Sequence, residues 1–92
     1  MKLSWDEAKR QYTLEERGLD FANAADVFVG DTFTSEDLRF DYGEKRFISF
    51  GHISNRLCVV VWTARGDAHH IISMRKANDR EQKWFAIKAR SS

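Results

Sequence analysis

Three kinds of side chain in this sequence could do polar chemistry together: arginines at turns and strand ends, two adjacent histidines, and a carboxylate at a loop-to-strand junction. Arg65 precedes Gly66-Asp67 in a hairpin-turn pattern, and Arg75 lies just before an Asn78-x-x-Glu81 helix start. A guanidinium stays charged at neutral pH, and its planar fork matches two oxygens of a phosphate or carboxylate. Strand ends and helix starts are places where such a fork meets an anionic ligand. The competing roles are a solvated turn residue for Arg65 and an ion pair with Glu81 or Glu44 for Arg75. His69 and His70 bring imidazole, the group suited to proton transfer near neutral pH. Neighbours on a strand point to opposite faces, and by period two it is His69 that shares a face with Ser73 and Arg75. His69 is therefore the candidate acid or base, against the plainer role of a surface histidine. Two histidines on opposite faces cannot chelate one ion, so neither a metal site nor a cofactor is expected. Glu44, near Arg46 and Arg75, could act as a base or an orienting group, or could fix its loop by ion pairing. Lys76, Arg80 and Arg46 extend the positive charge, either as anion contacts or as solvated faces.

The elements that must position these groups follow from capping and periodicity. Leu3 to Trp5 reads as a short strand. Ser4 or Asp6 caps a first helix over Glu7 to Arg17, and Gly18 ends it in the left-handed conformation. Asp20 caps a short second helix whose apolar face is Phe21, Ala24, Ala25 and Phe28, stopped by Gly30. Asp31 to Ser35 fits an edge strand, and Glu36 to Glu44 is a polar loop. Arg46 to His52 is a strand, Ser54-Asn55 a turn, and Ala68 to Met74 the last strand. Leu57 to Thr63 is apolar on both faces, which predicts a central strand covered on both sides. Asn78 and Glu81 form a reciprocal cap for a C-terminal helix running to about Lys88, docked by Trp84 with Phe85. The order β-α-α-β-β-β-β-α predicts one α+β domain over residues 1–92. Its sheet should be mainly antiparallel, with about five strands, two N-terminal helices and one C-terminal helix.

Composition bounds the function classes. Hydrophobic residues make up 42% and charged residues 32% of the 92, which is globular rather than disordered. The longest apolar run, Leu57 to Trp62, is far short of a membrane span. The N-terminus, Met1-Lys2-Leu3-Ser4-Trp5-Asp6, soon turns acidic and lacks the apolar stretch of a signal peptide, and the single Cys58 rules out an internal disulfide. A cytoplasmic protein is expected. Cys58 reads as a small buried hydrophobe, and Trp62 and Trp84 read as core. The net charge of +1 conceals a split. Met1 to Glu44 carries five basic against eleven acidic residues, Lys45 to Met74 four against one, and Arg75 to Ser92 six against two. A basic second half suggests a polyanionic partner, or a helix with a solvated basic face.

Four motifs, in order, resemble the BrnT toxin family from Trp5 to Phe85. They are Trp5-Asp6-x-x-Lys9 with Gly18, Phe21, Ala24 and Phe28; Asp37-x-Arg39-x-Asp41-Tyr42-Gly43-Glu44-x-Arg46; Arg56-x-x-Val59-Val60-x-x-Thr63-x-Arg65-Gly66; and Ile71-Ile72-Ser73-x-Arg75-x-Ala77-x-x-x-Glu81. The resemblance implies a RelE-like fold and an endoribonuclease that arrests growth. It also implies neutralisation by a BrnA-like ribbon-helix-helix antitoxin, with operator DNA bound only through that partner. On this view Arg65, Arg75, Glu44 and His69 form the catalytic set, cutting RNA without a metal, and Lys76, Arg80 and Arg46 hold RNA. The antitoxin would cover the basic surface carrying Arg65, Arg75 and Arg80. The alternative is a module that binds RNA or a partner as co-repressor without cutting. The chain departs from the family pattern at His70, where arginine is usual, at Met74 for alanine, at Phe85 for tyrosine, and at Thr13 and Arg17 for asparagine and histidine.

Overall fold

The computed structural model describes residues 1–91. Its elements run β1 (Lys2–Trp5), α1 (Glu7–Arg17), a 3-10 turn (Phe21–Asn23), α2 (Ala24–Val29), β2 (Phe33–Glu36), β3 (Phe47–Ile53), β4 (Arg56–Arg65), β5 (Ala68–Lys76) and α3 (Asp79–Ser91). The α+β class and the element order match the expectation from sequence.

Local chemistry accounts for the boundaries. Of the two candidate caps for α1, Asp6 takes the role, accepting from the Lys9 N–H at 3.2 Å, while Ser4 is paired within β1. Gly18 closes the helix at φ 68°, its N–H donating to the Leu14 carbonyl, a conformation glycine adopts without a steric penalty. Asp20 caps the following turn through the Ala22 N–H and receives both prongs of Arg10, at 2.8 and 3.0 Å. The Arg10 guanidinium holds the Asp20 carboxyl below the ordinary carboxylate range. Between β3 and β4, Ser54 and Asn55 both take positive φ, as a two-residue hairpin turn of this twist requires.

The sheet order is β1-β5-β4-β3-β2, which places β4 at the centre. All pairings are antiparallel except β1 with β5, which is parallel. Alternation along β4 divides its residues between two layers. Cys58 and Val60, with Ile71 and Met74 of β5, meet Leu19, Phe21, Ala24 and Val27 on the face covered by α1 and α2. Leu57 and Val59 meet Ala77 and Phe85 on the face covered by α3. Phe85 is the buried anchor of α3; Trp84 is 39% exposed and only leans edge-on against Phe33 and Phe50. The expectation of Trp84 as the docking residue is thus corrected. Successive residues on a helix point about 100° apart, so Trp84 and Phe85 cannot both face the sheet squarely, and Phe85 does.

The register of β4 with β5 shifts once. Val61 pairs with Ser73 and Trp62 with Ile71, so Ile72 is an extra residue in β5. Such a bulge reverses which side chains face which layer on either side of it.

Gly51 of β3 lies directly beneath α2. A Cβ there would come within 2.7 Å of the Val27 carbonyl oxygen and 2.8 Å of a Val27 methyl. Gly51→Ala is therefore expected to destabilise the domain by about 1–3 kcal/mol, the usual penalty of overpacking. Thermal unfolding checks this, and an unchanged melting temperature would show that α2 can lift off β3 without penalty.

Candidate active site

α3 covers the Leu57 end of its sheet face; at the other end Thr63 is buried under the loop before β3, and Ala64 and Arg65 are exposed. The bulge at Ile72 decides which groups reach that end. Past it, Thr63 pairs with His70 and Ala64 with His69. His70 therefore shares the face of Ser73 and Arg75, whereas His69 turns to the other layer. There His69 stacks on the Trp62 ring with centroids 3.9 Å apart and meets Phe28 edge-on at 5.0 Å. The expected placement of His69 is reversed for a definite reason: period two fails across a bulge, and the sequence around Ile71-Ile72 does not announce one.

A cleft of about 350 Å³ opens here, lined by Asp6, Lys9, Glu44, Arg46, Arg65, His70, Ile71 and Ile72. Four separate parts of the chain supply it. The β4–β5 turn brings Arg65 and His70, and the start of α1 brings Asp6 and Lys9. The junction into β3 brings Glu44 and Arg46, and β1, paired beside β5 at the sheet edge, supports His70. Ser4 of β1, in register with His70, lies 2.8 Å from the imidazole Nδ1.

The junction is held by the loop before it. The buried Asp37 carboxylate accepts from the Arg39 backbone N–H at 3.1 Å and from the Arg39 guanidinium at 2.8 and 2.8 Å. It also accepts from the Tyr42 hydroxyl at 2.9 Å. The Arg39 guanidinium beside it keeps this carboxyl well below the usual range. The Asp37 N–H donates to the Arg46 carbonyl, and the Thr63 hydroxyl donates to the Lys45 carbonyl at 2.6 Å. Arg46 then lies over the Tyr42 ring at 4.1 Å and donates to Glu44 at 3.2 Å. The second sequence motif is thus largely a scaffold that aims Glu44 and Arg46 at Arg65.

Electrostatics favour a neutral imidazole. Partial burial pushes the His70 pKa down, and the Arg65 and Lys9 charges lower it further, against opposing pulls from Glu44 and Asp6. His69 is also lowered, chiefly by burial.

The other expected residues lie elsewhere. Arg75 pairs across from Val59 and Arg65 across from Ala68, so the two guanidiniums start roughly 20 Å apart along the hairpin at about 3.3 Å per residue. Both prongs of Arg75 are taken by Glu81 at 2.8 and 2.8 Å. Glu81 in turn closes the reciprocal cap with Asn78. Lys76 faces the opposite layer beside Gly18 and Asn23. Arg80 is exposed on the first turn of α3. Of the seven expected site residues, Arg65, Glu44 and Arg46 meet in the cleft; His69, Arg75, Lys76 and Arg80 do not. Sequence reasoning passed over His70, Lys9 and Asp6 as site residues. The cap at Asp6 was legible, but nothing local to Asp6 or Lys9 places them beside the β4–β5 turn.

The five-stranded α+β sheet thus carries a cleft in which Arg46, Arg65 and Lys9 meet Asp6, Glu44 and an imidazole of lowered pKa, a set of groups able to hold an anion and to move a proton. Residues 5–81 match the family described as the ribonuclease toxin BrnT of type II toxin–antitoxin systems, and the chain belongs to that family. No curated protein matches it closely. The family identity makes the protein a ribonuclease toxin whose system includes an antitoxin. No helix among the described residues is long and apolar enough to cross a membrane.

Proposed function

We propose that the domain cuts RNA endonucleolytically, without a metal ion, in the cleft between Arg65 and His70. The observation that carries this reading is the convergence of Arg46, Arg65, Lys9 and the His70 imidazole on one cleft, beside the carboxylates of Glu44 and Asp6. In the tautomer this mechanism uses, His70 donates its Nδ1–H to the Ser4 hydroxyl oxygen 2.8 Å away, which leaves the Nε2 lone pair to act as base. Nε2 takes the proton of a ribose 2′-hydroxyl, and the 2′-oxygen attacks the adjacent phosphorus. The bond to the 5′-oxygen breaks, and that oxygen takes a proton from solvent in the open cleft. The products are a 2′,3′-cyclic phosphate and a 5′-hydroxyl. Arg65 and Arg46 hold the phosphate oxygens as charge builds on them, and Lys9 adds to the field. Glu44 aims Arg46. Arg75 acts at a distance, tying the end of β5 to the start of α3.

Base, clamp and field all come from the chain's own side chains. Among the described residues no three His, Cys, Asp or Glu side chains come together as a metal-binding group. The partner we propose is a ribbon-helix-helix antitoxin that silences the toxin by laying acidic side chains against Arg65 and Arg46, since burying arginines unpaired is costly. Operator DNA is then bound through that partner alone.

The direct test is incubation of the purified protein with single-stranded RNA in EDTA. Cleavage leaving cyclic-phosphate ends is expected at an undiminished rate. Loss of cleavage with chelator, restored by a divalent ion, would contradict the mechanism.

A further inference from the structure

We infer that the hollow beside the cleft is a subsite for an unpaired guanine base flanking the cleaved phosphate, with the Phe40 ring as its stacking surface; this rests on the RNA-cleaving reading above. The hollow, about 490 Å³, is lined by Leu38, Phe40, Asp41, Tyr42, Glu44 and Glu36 among others, and it shares Glu44 with the catalytic cleft. Leu38 and Phe40 are 80% and 70% exposed. That exposure does not come from a loose loop, since Asp37 anchors the segment with four hydrogen bonds. A rigid loop that holds aromatic surface out to solvent is a platform in search of a flat partner.

The rings are arranged for this. Phe40 meets Tyr42 edge-on at 5.8 Å, and Arg46 covers the Tyr42 ring at 4.1 Å while also lining the cleft. A strand whose phosphate lies on Arg46 and Arg65 would therefore bring its neighbouring base over Phe40. The charge of the hollow selects the part of the nucleotide that enters. Glu36 and Asp41, set against Lys45 on the rim, disfavour a phosphate but accept from N–H groups, while Glu44 is already paired with Arg46. Guanine presents two such donors together on its Watson–Crick edge, N1–H and the 2-amino group, which match one carboxylate. Asp41 is suited to this role, because one of its oxygens is fixed by the Gly43 N–H at 3.0 Å, which orients the carboxylate.

The test uses short single-stranded RNAs with one guanosine, and the same strands carrying inosine or adenosine in its place. Cleavage is expected next to guanosine, with KM raised about tenfold for inosine or adenosine. Phe40→Ala should raise KM about tenfold with little change in kcat, and Phe40→Trp should restore it. Asp41→Asn keeps the turn to Gly43 but should erase the preference for guanosine. Binding of strands made uncleavable by a 2′-deoxy sugar reads the subsite separately. Intact cleavage with base-independent binding in both wild type and Phe40→Ala would overturn the subsite alone. Guanine-dependent binding without cleavage would instead support the subsite and count against the proposed function.

Discussion

Arg65→Ala is expected to lower the single-turnover rate of RNA cleavage about a hundredfold, while leaving the fold intact. Removing one preorganised charge donor from a site where negative charge develops typically costs about 3 kcal/mol. Arg65 closes the β4–β5 turn, is exposed, and has neither an ion pair nor a side-chain hydrogen bond among the described residues, so its loss removes little packing. Arg65→Lys should recover only part of the rate, since an ammonium cannot make the two-pronged contact. Arg75→Ala serves as the contrast. Its fork is already occupied by Glu81, so it should cost mainly stability at the start of α3. Equal losses of rate for Arg65→Ala and Arg75→Ala, both in folded protein, would contradict the assignment.

His70→Ala is expected to remove general-base catalysis, a loss of about a hundredfold or more. The pH profile of the unaltered protein carries a sharper signature. The base works only as neutral imidazole, so activity falls on the acid side as His70 takes up a proton. Burial, Arg65 and Lys9 lower that pKa, so the acid limb should lie below the ordinary histidine value of about 6.5. Removing the Arg65 charge removes a group that disfavours imidazolium, so the residual activity of Arg65→Ala should show the limb moved up. Glu44→Gln removes a group that favours imidazolium and should move the limb down. Rate measurements from pH 4 to 8 read all three. A limb at or above the ordinary value, or shifts of the opposite sign, would show that His70 is not the titrating base.

Much of the fold is legible in the sequence because its signals are local. The caps at Asp6, Asp20 and Asn78, the left-handed Gly18 and the Ser54-Asn55 turn each act through hydrogen bonds or backbone geometry within a few residues. The two-faced apolar run of β4 reports a central strand in the same way. The parallel pairing of β1 with β5 is a contact across the whole chain, and nothing near Leu3 to Trp5 specifies a partner. The candidate site was legible in residue type but not in grouping. Arg65, Glu44 and Arg46 stand out as charges at turns and junctions. Whether Arg75 joins them depends on how far apart the ends of a long hairpin lie and on the prior claim of Glu81. The choice between the two histidines turns on one inserted residue, Ile72. A strand read at strict alternation assigns the chemistry to His69, and the bulge transfers it to His70.

The most direct test of this account compares the two histidines in a single-turnover cleavage assay on one RNA strand in EDTA. His69→Phe keeps a ring to stack on Trp62 and should cleave at close to the unaltered rate. His70→Phe fills the same strand position without a proton acceptor and should lose at least about a hundredfold. Full activity in folded His70→Phe, with the loss falling on His69→Phe, would place the chemistry on the opposite face of the sheet and contradict the account.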